Sequence, residues 1–530
     1  MVILNFGSIG WIFVALVSGA AVLSMVRRRI LRRPSLTARH HRGRVLRAAR
    51  EVQQSLGRVD EGFQWGRCLL PARVAYGHLA VVGATGSGKT LLQRLLMQSV
   101  LPHIGTHPGQ RALIYDAKQD ILGLLGGMDL RCRIDLLNPL DSRSVAWDLA
   151  ADVTSPAAAW QAATLLIPKA THDANPFFSN AARHLLYGVL LAFMLHAPLK
   201  WTLRQLVLVL RQERLLRSLL ANHDATGYLL QYFEHPSTFQ NILSTLLTRM
   251  APYEIIAAAW DRSRSKISLR QWVDSDSILV LGNDEDNRAA IDTLNQLIFK
   301  RLSELILARP ELKPEESETT WLLLDEVRQA GKLDGLSALM TKGRSKGAAV
   351  LLGFQDINGL RDVYGREVAD ELVGQCNTKA ILRLNSPETA NWASRIVGSS
   401  EFLETRKSRS RSRDVRDHGL HEGASFGVSF SDAITKRDLI LDSEFLDFPE
   451  TSLEAGLSGV FVSPVTGAFR DHLPGRWLGD RLRSPLPDFR NFIPRPEAHQ
   501  YLRPWSNQDS DIFKLAERPA SASLIRAAHE

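Results

Sequence analysis

The stretch VVGATGSGKTLLQRLL, Val81 to Leu96, sets glycines, hydroxyl residues and one lysine between an apolar run and an amphipathic one. Gly83, Gly88, Lys89 and Thr90 occupy the defining positions of G-x-x-x-x-G-K-[ST]. Glycines at these points let consecutive backbone N–H groups curl around a polyphosphate without Cβ clashes. A lysine in this position reaches the β- and γ-phosphates, and the threonine hydroxyl ligates Mg²⁺. The pattern predicts an ATP–Mg²⁺ site formed by Gly83, Ala84, Thr85, Gly86, Ser87, Gly88, Lys89 and Thr90. His78–Val82 reads as a short buried strand and Thr90–Leu101 has helical apolar spacing, so the loop opens a helix N-terminus. A chance glycine turn is the bland alternative, and it would supply neither flank.

Such a loop needs an acidic partner at the end of another strand. WLLLDE provides four apolar residues followed by Asp325 and Glu326. Asp325 would hold Mg²⁺ through water, and Glu326 would polarise an attacking water, a role that needs a carboxylate within hydrogen-bond reach. A strand ending in a solvated acidic pair is the competing reading. One strand further on, AAVLLGFQ ends in Gln355, which can sense the γ-phosphate, orient water, or bond locally as a strand-end amide. Between the two strands, TKGRSKG carries Lys342, Arg344 and Lys346. Cations there are favourable through a helix dipole alone, and Arg344 can equally be an arginine finger.

These residues need a large scaffold. A chain of 530 residues with 45% apolar composition can hold two or three domains. Cys68, Cys132 and Cys376 stand far apart with no CxxC pair, which fits core residues in a reduced compartment. The net charge of +9 is uneven: Arg27–Arg50 has ten arginines and no acidic residue, so it contributes +10 and the remainder −1. A globally basic nucleic-acid binder is therefore not implied. Val2–Val26 is free of charge and long enough to span a hydrocarbon core of roughly 30 Å. Its positive residues follow it, unlike a cleaved signal peptide, and put Arg27 onward in the cytoplasm. The arginine cluster can serve topology alone, anionic lipid, or DNA.

Strand-like runs at His78–Val82, Ala112–Tyr115 and Arg133–Leu137 alternate with helices, as a parallel α/β sheet requires. Ala157–Trp272 is mostly helical, with runs at Ala181–Leu195, Leu203–Leu220 and Thr238–Met250, and reads as an inserted all-α domain. The α/β rhythm resumes with Ser277–Leu281, a long helix over Ala289–Leu307, and strands at Trp321–Leu324, Ala348–Phe354 and Thr378–Leu384. The predicted organisation is a membrane anchor at 1–26, an arginine-rich juxtamembrane segment at 27–61, and a nucleotide-binding core at 62–156 and 273–479. That core is interrupted by the all-α domain at 157–272, and a C-terminal tail occupies 480–530. TRKSRSRSRDVRDH (Thr405–His418) is low in complexity, with six basic residues in Arg406–Arg416. It reads as a solvated mobile loop or as a DNA-facing one.

The stretch from WLLLDEVRQAGKLDG through TKGRSKGAAVLLGFQDINGL to LRLNSPETANWASRIVG resembles TraD/TraG-type coupling proteins of conjugation and type IV secretion, the TraD branch especially. IYDAKQD, LLNPLDSRSVAWDL and LIPKATHDANPFFSNAARHLL add to the likeness, which covers roughly Gly62–Pro474. The resemblance implies a RecA-like ATPase core with an all-α domain, in a membrane-anchored homo-hexamer around a central channel. It implies an inner-membrane ATPase that couples a relaxase–DNA substrate to the channel proteins of a type IV secretion system and pumps single-stranded DNA. It also implies that Arg344 acts in trans on a neighbour's nucleotide and that Gln355 couples hydrolysis to movement. Four departures stand out: one membrane helix instead of the usual two, DAKQ where DPKG is usual, DEVRQAG where a DEL/P-like continuation is usual, and Phe178 where a tryptophan is usual. Rival readings are an FtsK/HerA-like DNA translocase, and a secretion receptor for protein effectors whose ATPase serves assembly.

Overall fold

The computed structural model describes residues 39–59, 61–168, 176–313, 318–414 and 423–515. The run 2–26 and the arginines up to position 38 lie outside the described residues. The described chain divides into two units.

In the larger unit, LAVV, SILVL, TTWLLL and AAVLLGF are buried along their whole length. Continuous apolar runs of this kind suit parallel strands covered on both faces. Among the described residues ten strands form one sheet. Seven are parallel, in the order Thr378–Ile381, Leu79–Val82, Ala348–Phe354, Thr319–Leu324, Gln110–Tyr115, Ser277–Leu281 and Arg133–Leu137. Beside Thr378–Ile381 comes an antiparallel hairpin, Leu457–Ser463 and Gly467–Leu473, and then Leu46–Ala48 at the edge. The register aligns Val82 with Phe354 and Ile381, and Leu324 with Leu352 and Tyr115, so the strands finish at one common edge. Leu46–Ala48 and the helix Ala49–Leu56 thus belong to the folded core, although the sequence assigns them to the juxtamembrane segment.

The helical insert follows the strand Arg133–Leu137 in the chain. Its expected single run over Leu203–Leu220 is two helices, Leu203–Arg211 and Glu213–Ala221, because Gln212 is extended (φ −120°, ψ 101°). Among the described residues one helix, Pro176–His196, is long and apolar enough to cross a bilayer, but it packs against Pro156–Leu166 and Pro236–Met250 as a core helix. Where the chain enters and leaves the insert, Ala146–Trp147 pairs in parallel with Lys266–Ile267. The fully buried Asp152 joins the two passes. It accepts hydrogen bonds from Trp147 Nε1 (2.7 Å), Ser268 Oγ (3.0 Å), and the backbone N–H groups of Leu269 (2.7 Å) and Arg270 (3.0 Å).

The described part of the C-terminal segment is packed onto this unit. Arg495 Nε donates to Pro139 O (2.6 Å), and Arg204 Nη2 donates to both carboxylate oxygens of Asp509, at 2.6 and 2.7 Å. Phe513 stacks on Phe193 with ring centres 4.2 Å apart.

The smaller unit holds a long antiparallel ribbon, Ser399–Asp414 with Gly423–Asp438, joined at its base by the strand Arg39–Gly43. The expected loop over Thr405–His418 is therefore strand up to Asp414, and residues 415–418 lie outside the described residues. Serine–arginine alternation offers no apolar signal, but its period of two is that of a strand.

Asp152 satisfies four donors, each worth about 1 kcal/mol net and more when stranded in a dry site. Asp152→Ala is expected to lower the unfolding free energy by about 3 kcal/mol or more in urea titrations of the purified protein. A change within about 0.5 kcal/mol would remove Asp152 as the clasp of the insert.

Candidate nucleotide site

The loop after Leu79–Val82 is fixed by its neighbours. Gly83 N–H donates to Phe354 O (3.2 Å) and Ala84 N–H to Arg383 O (2.9 Å). Gly86 (φ +76°) and Gly88 (φ +85°) occupy the left-handed region, where a side chain is strained. A Cβ on Gly86 would lie 2.3 Å from Glu450 Oε1, and one on Gly88 2.5 Å from Leu457 Cδ1. The helix Lys89–Val100 starts directly after Gly88, so the loop curls over a helix N-terminus, a ready anion site.

Opposite it, the strand Thr319–Leu324 delivers the acidic pair. Glu326 takes φ +53°, which a glutamate rarely adopts, and is 5% exposed. Lys89, 6% exposed, sets its Nζ 3.1 Å from Asp325 Oδ1 and donates to Glu326 Oε1. A buried ammonium is tolerable only when paired in this way. Gln355 Nε2 donates to the same Glu326 Oε1 (3.1 Å), and Thr85 Oγ1 donates to Gln355 Oε1 (3.4 Å). Asp325 is held further by Gln93 Nε2 (3.1 Å) and faces Lys118 Nζ at 3.8 Å.

These groups surround a cleft of about 360 Å³ lined by Ala84, Gly86, Lys89, Thr90, Lys118, Glu326, Gln355 and Thr451, among others. Its fit to a magnesium polyphosphate can be tested on the residues alone. Ser87 Oγ and Thr451 Oγ1 are buried without a hydrogen-bond partner. Lys89 and Lys118 supply positive charge at the cleft. Thr90 and Asp325 offer hard oxygen donors, the kind Mg²⁺ selects. The residues fit the group.

Gly83 to Thr90, Asp325, Glu326 and Gln355 are therefore gathered at one edge of the sheet. Arg344 is not among them. It is exposed on the turn Gly343–Lys346, which precedes the strand Ala348–Phe354 whose far end carries Gln355. Seven strand residues at about 3.3 Å each put it roughly 20 Å from its own cleft. It lines a separate basic hollow with Lys342, Lys346 and Tyr76.

Sequence reasoning left two polar cleft residues unassigned, Lys118 and Thr451. Lys118 lies in IYDAKQD, a motif that carries the resemblance but has no assigned chemistry. Its turn is organised by Asp116, which receives the N–H groups of Asp120 (3.2 Å) and Ile121 (3.3 Å). Burial, and then the charge of Asp120, raise the Asp116 carboxyl to about 6. Thr451 has no local signal. It is brought over the loop by the segment before the edge hairpin, where its N–H donates to Gly86 O (3.0 Å).

A parallel sheet with a P-loop, an acidic strand end, a polar residue on the next strand and a helical insert defines the RecA-like α/β class with an all-α domain. Residues 64–459 match the family of the type IV secretion-system coupling protein DNA-binding domain. The chain belongs to that family. The coupling protein TraD of Escherichia coli (strain K12) is 23% identical over 388 residues, 72% of this chain and 50% of that protein. The chain thus spans about half the length of the curated relative. Among solved structures, the conjugative coupling protein TrwBdeltaN70 in its unbound monoclinic form has TM-score 0.66 at 20% identity, covering 86% of this chain and 97% of that one. Plasmid coupling protein TrwB in complex with ADP and Mg²⁺ has TM-score 0.64 at 19% identity, covering 86% and 97%. At these identities the likeness is one of fold.

Lys89→Ala is expected to abolish ATP turnover, because the lysine contacts the charge that grows on a transferring phosphoryl group. Gln355→Ala, which removes the amide bonded to Glu326 and Thr85, is expected to cut kcat about 100-fold while fluorescent-nucleotide affinity stays within about threefold. Undiminished turnover in Lys89→Ala, or a loss in Gln355→Ala that falls wholly on affinity, would contradict these roles.

Proposed function

We propose that this chain is a ring-forming ATPase of the inner membrane that couples a relaxase–DNA substrate to a type IV secretion channel and drives single-stranded DNA through it. Membership of the coupling protein family supports the transport role, and the cleft supports the chemistry. The observation that carries the reading is the division of the site. Lys89, Asp325, Glu326 and Gln355 meet at one edge of the sheet, and Arg344 lies at the other.

When bound, ATP with Mg²⁺ supplies a polarised γ-phosphoryl group. Lys89, paired here with Asp325 and Glu326, would hold phosphate oxygens, and Thr90 with Asp325 would hold the metal. The Glu326 carboxylate, within a hydrogen bond of Gln355, would accept a proton from water. Gln355, tied to Thr85 in the loop, reports the state of the cleft to its own strand. Arg344 serves the cleft of a neighbouring copy in a head-to-tail ring, a homo-hexamer in this reading, supplying charge to the reaction from outside. The charge-free run 2–26 anchors the ring at the pore its substrate crosses. Contact with the strand runs mainly to phosphates and does not depend on sequence.

Arg344→Ala and Glu326→Gln are each expected to be nearly inactive, since they damage opposite sides of one interface. In a randomly mixed ring about one interface in four pairs an intact Glu326 with an intact Arg344. Co-purified heteromers carrying two tags are therefore expected to recover a measurable part of the DNA-stimulated ATPase activity. An absence of recovery, in hexamers where a wild-type/mutant mixture remains active, would remove Arg344 from the site.

A further inference from the structure

We infer that His78 is a positioning residue for Arg344. It clamps the helix that leads into the Arg344 turn onto the strand that leads into the phosphate loop. The inference rests on the reading in which Arg344 serves a neighbouring cleft, and the test separates the two.

His78 stands directly before the strand Leu79–Val82, at the end remote from Gly83. A strand of that length, at about 3.3 Å per residue, puts it roughly 13 Å from the loop and outside the cleft. It is buried, and no step of the reaction uses it. Its ring joins two neighbouring elements. The backbone N–H of Val350, in the adjacent strand Ala348–Phe354, donates to Nδ1 (3.2 Å). A backbone N–H can only donate, so Nδ1 is the acceptor and the ring proton sits on Nε2. Nε2 then donates to Met340 O (2.8 Å). Burial lowers the pKa of the ring, the bond to Met340 opposes this, and the charge of Arg344 lowers it further. The site thus favours the neutral ring that both bonds need.

Met340 lies in the last turn of the helix Leu336–Lys342, where carbonyls lack onward helical donors. Arg344 follows on the turn Gly343–Lys346. On its other side that turn is pinned by Leu312 N–H, which donates to Ser345 O (2.8 Å). Lys346 pairs with Glu311 at 3.7 Å, whereas no carboxylate pairs with Arg344 among the described residues. The direction of the guanidinium is therefore set by how its backbone is held. His78 is itself fixed at the root: its φ is +52°, in the left-handed region that a histidine seldom adopts. Its N–H donates to Ala75 O (2.9 Å), and its carbonyl accepts from Thr378 N–H (3.2 Å). One short strand thus carries the clamp at one end and the phosphate loop at the other. Each copy fixes the group it offers to a neighbour relative to the nucleotide loop it keeps.

Two substitutions part the two bonds. His78→Asn keeps an acceptor near the Nδ1 position and tolerates the left-handed backbone, but it is too short to reach Met340 O. His78→Gln extends an amide N–H toward Met340 O and gives up the acceptor for Val350. In the full chain, His78→Asn is expected to lower DNA-stimulated ATP turnover about tenfold or more, and His78→Gln to stay within about threefold of wild type. Co-purified heteromers carrying two tags then locate the defect. Mixed with Glu326→Gln, His78→Asn is expected to reach about three times the mean of the two parents or more. About one interface in four then pairs its intact cleft with a well-held Arg344 from the other copy. Mixed with Arg344→Ala, no recovery is expected, since neither copy offers a well-held Arg344. The converse pattern would place the defect in the cleft of the substituted copy and overturn the proposal. Recovery with neither partner, loss of assembly, undiminished turnover in His78→Asn, or an equal loss in His78→Gln would also overturn it. No recovery when Arg344→Ala is mixed with Glu326→Gln would overturn the neighbour-acting Arg344 itself, and the clamp with it.

Discussion

A parallel sheet has a direction, and the placement of every chemical group in this protein follows from it. The seven parallel strands end at one edge, so the residues that follow them converge there even when hundreds of positions separate them in sequence. Gly83 to Lys89 arrive from one strand, Asp325 and Glu326 from another, Gln355 from a third and Lys118 from a fourth. Lys89 then sits almost wholly buried between two carboxylates. Burial of the ammonium costs several kcal/mol unless opposite charge is within contact distance, and the acidic strand end supplies it. The same directionality keeps Arg344 away, because it precedes its strand and lies at the opposite edge. No rotamer of an arginine covers about 20 Å, so any action of Arg344 on a nucleotide requires a second copy.

The surrounding structure keeps that edge in order. Glu326 is held in the left-handed region by a buried setting in which its carboxylate has Lys89 and Gln355 as partners. The glycines of the loop are needed because Glu450 and Leu457, from the segment and hairpin beyond the sheet centre, press directly on it. The helical insert is fastened separately, by Asp152 at its base and by the Arg204–Asp509 pair that binds the C-terminal segment to it. Neither device lines the cleft.

Much of this was legible in the residues themselves. The loop and the DE strand end are short local patterns, and the buried strands announce themselves as unbroken apolar runs. What escaped depends on partners distant in sequence. Thr451 reaches the loop only because an antiparallel hairpin folds back beside Thr378–Ile381. The break at Gln212 lies within a run whose apolar period continues on both sides, and one extended residue decides it. Thr405–Asp414 reads as a loop because arginine and serine carry no burial signal. Only its pairing with GASFGVSFSDAITKRD turns the alternation into a ribbon. Leu46–Ala48 was hidden by its arginine-rich surroundings, and it forms an edge strand where such residues are tolerated.

If catalysis belongs to the interface between copies, it cannot belong to a single chain. The most direct measurement is ATP turnover per chain as a function of chain concentration, with the assembly state followed on the same samples by mass photometry. A site completed by a neighbour requires turnover per chain to be near background where monomers prevail and to rise in step with the fraction of assembled rings. Turnover per chain that stays constant from the monomer range to the ring range would show that one copy suffices, and would contradict a site divided between the two edges of the sheet.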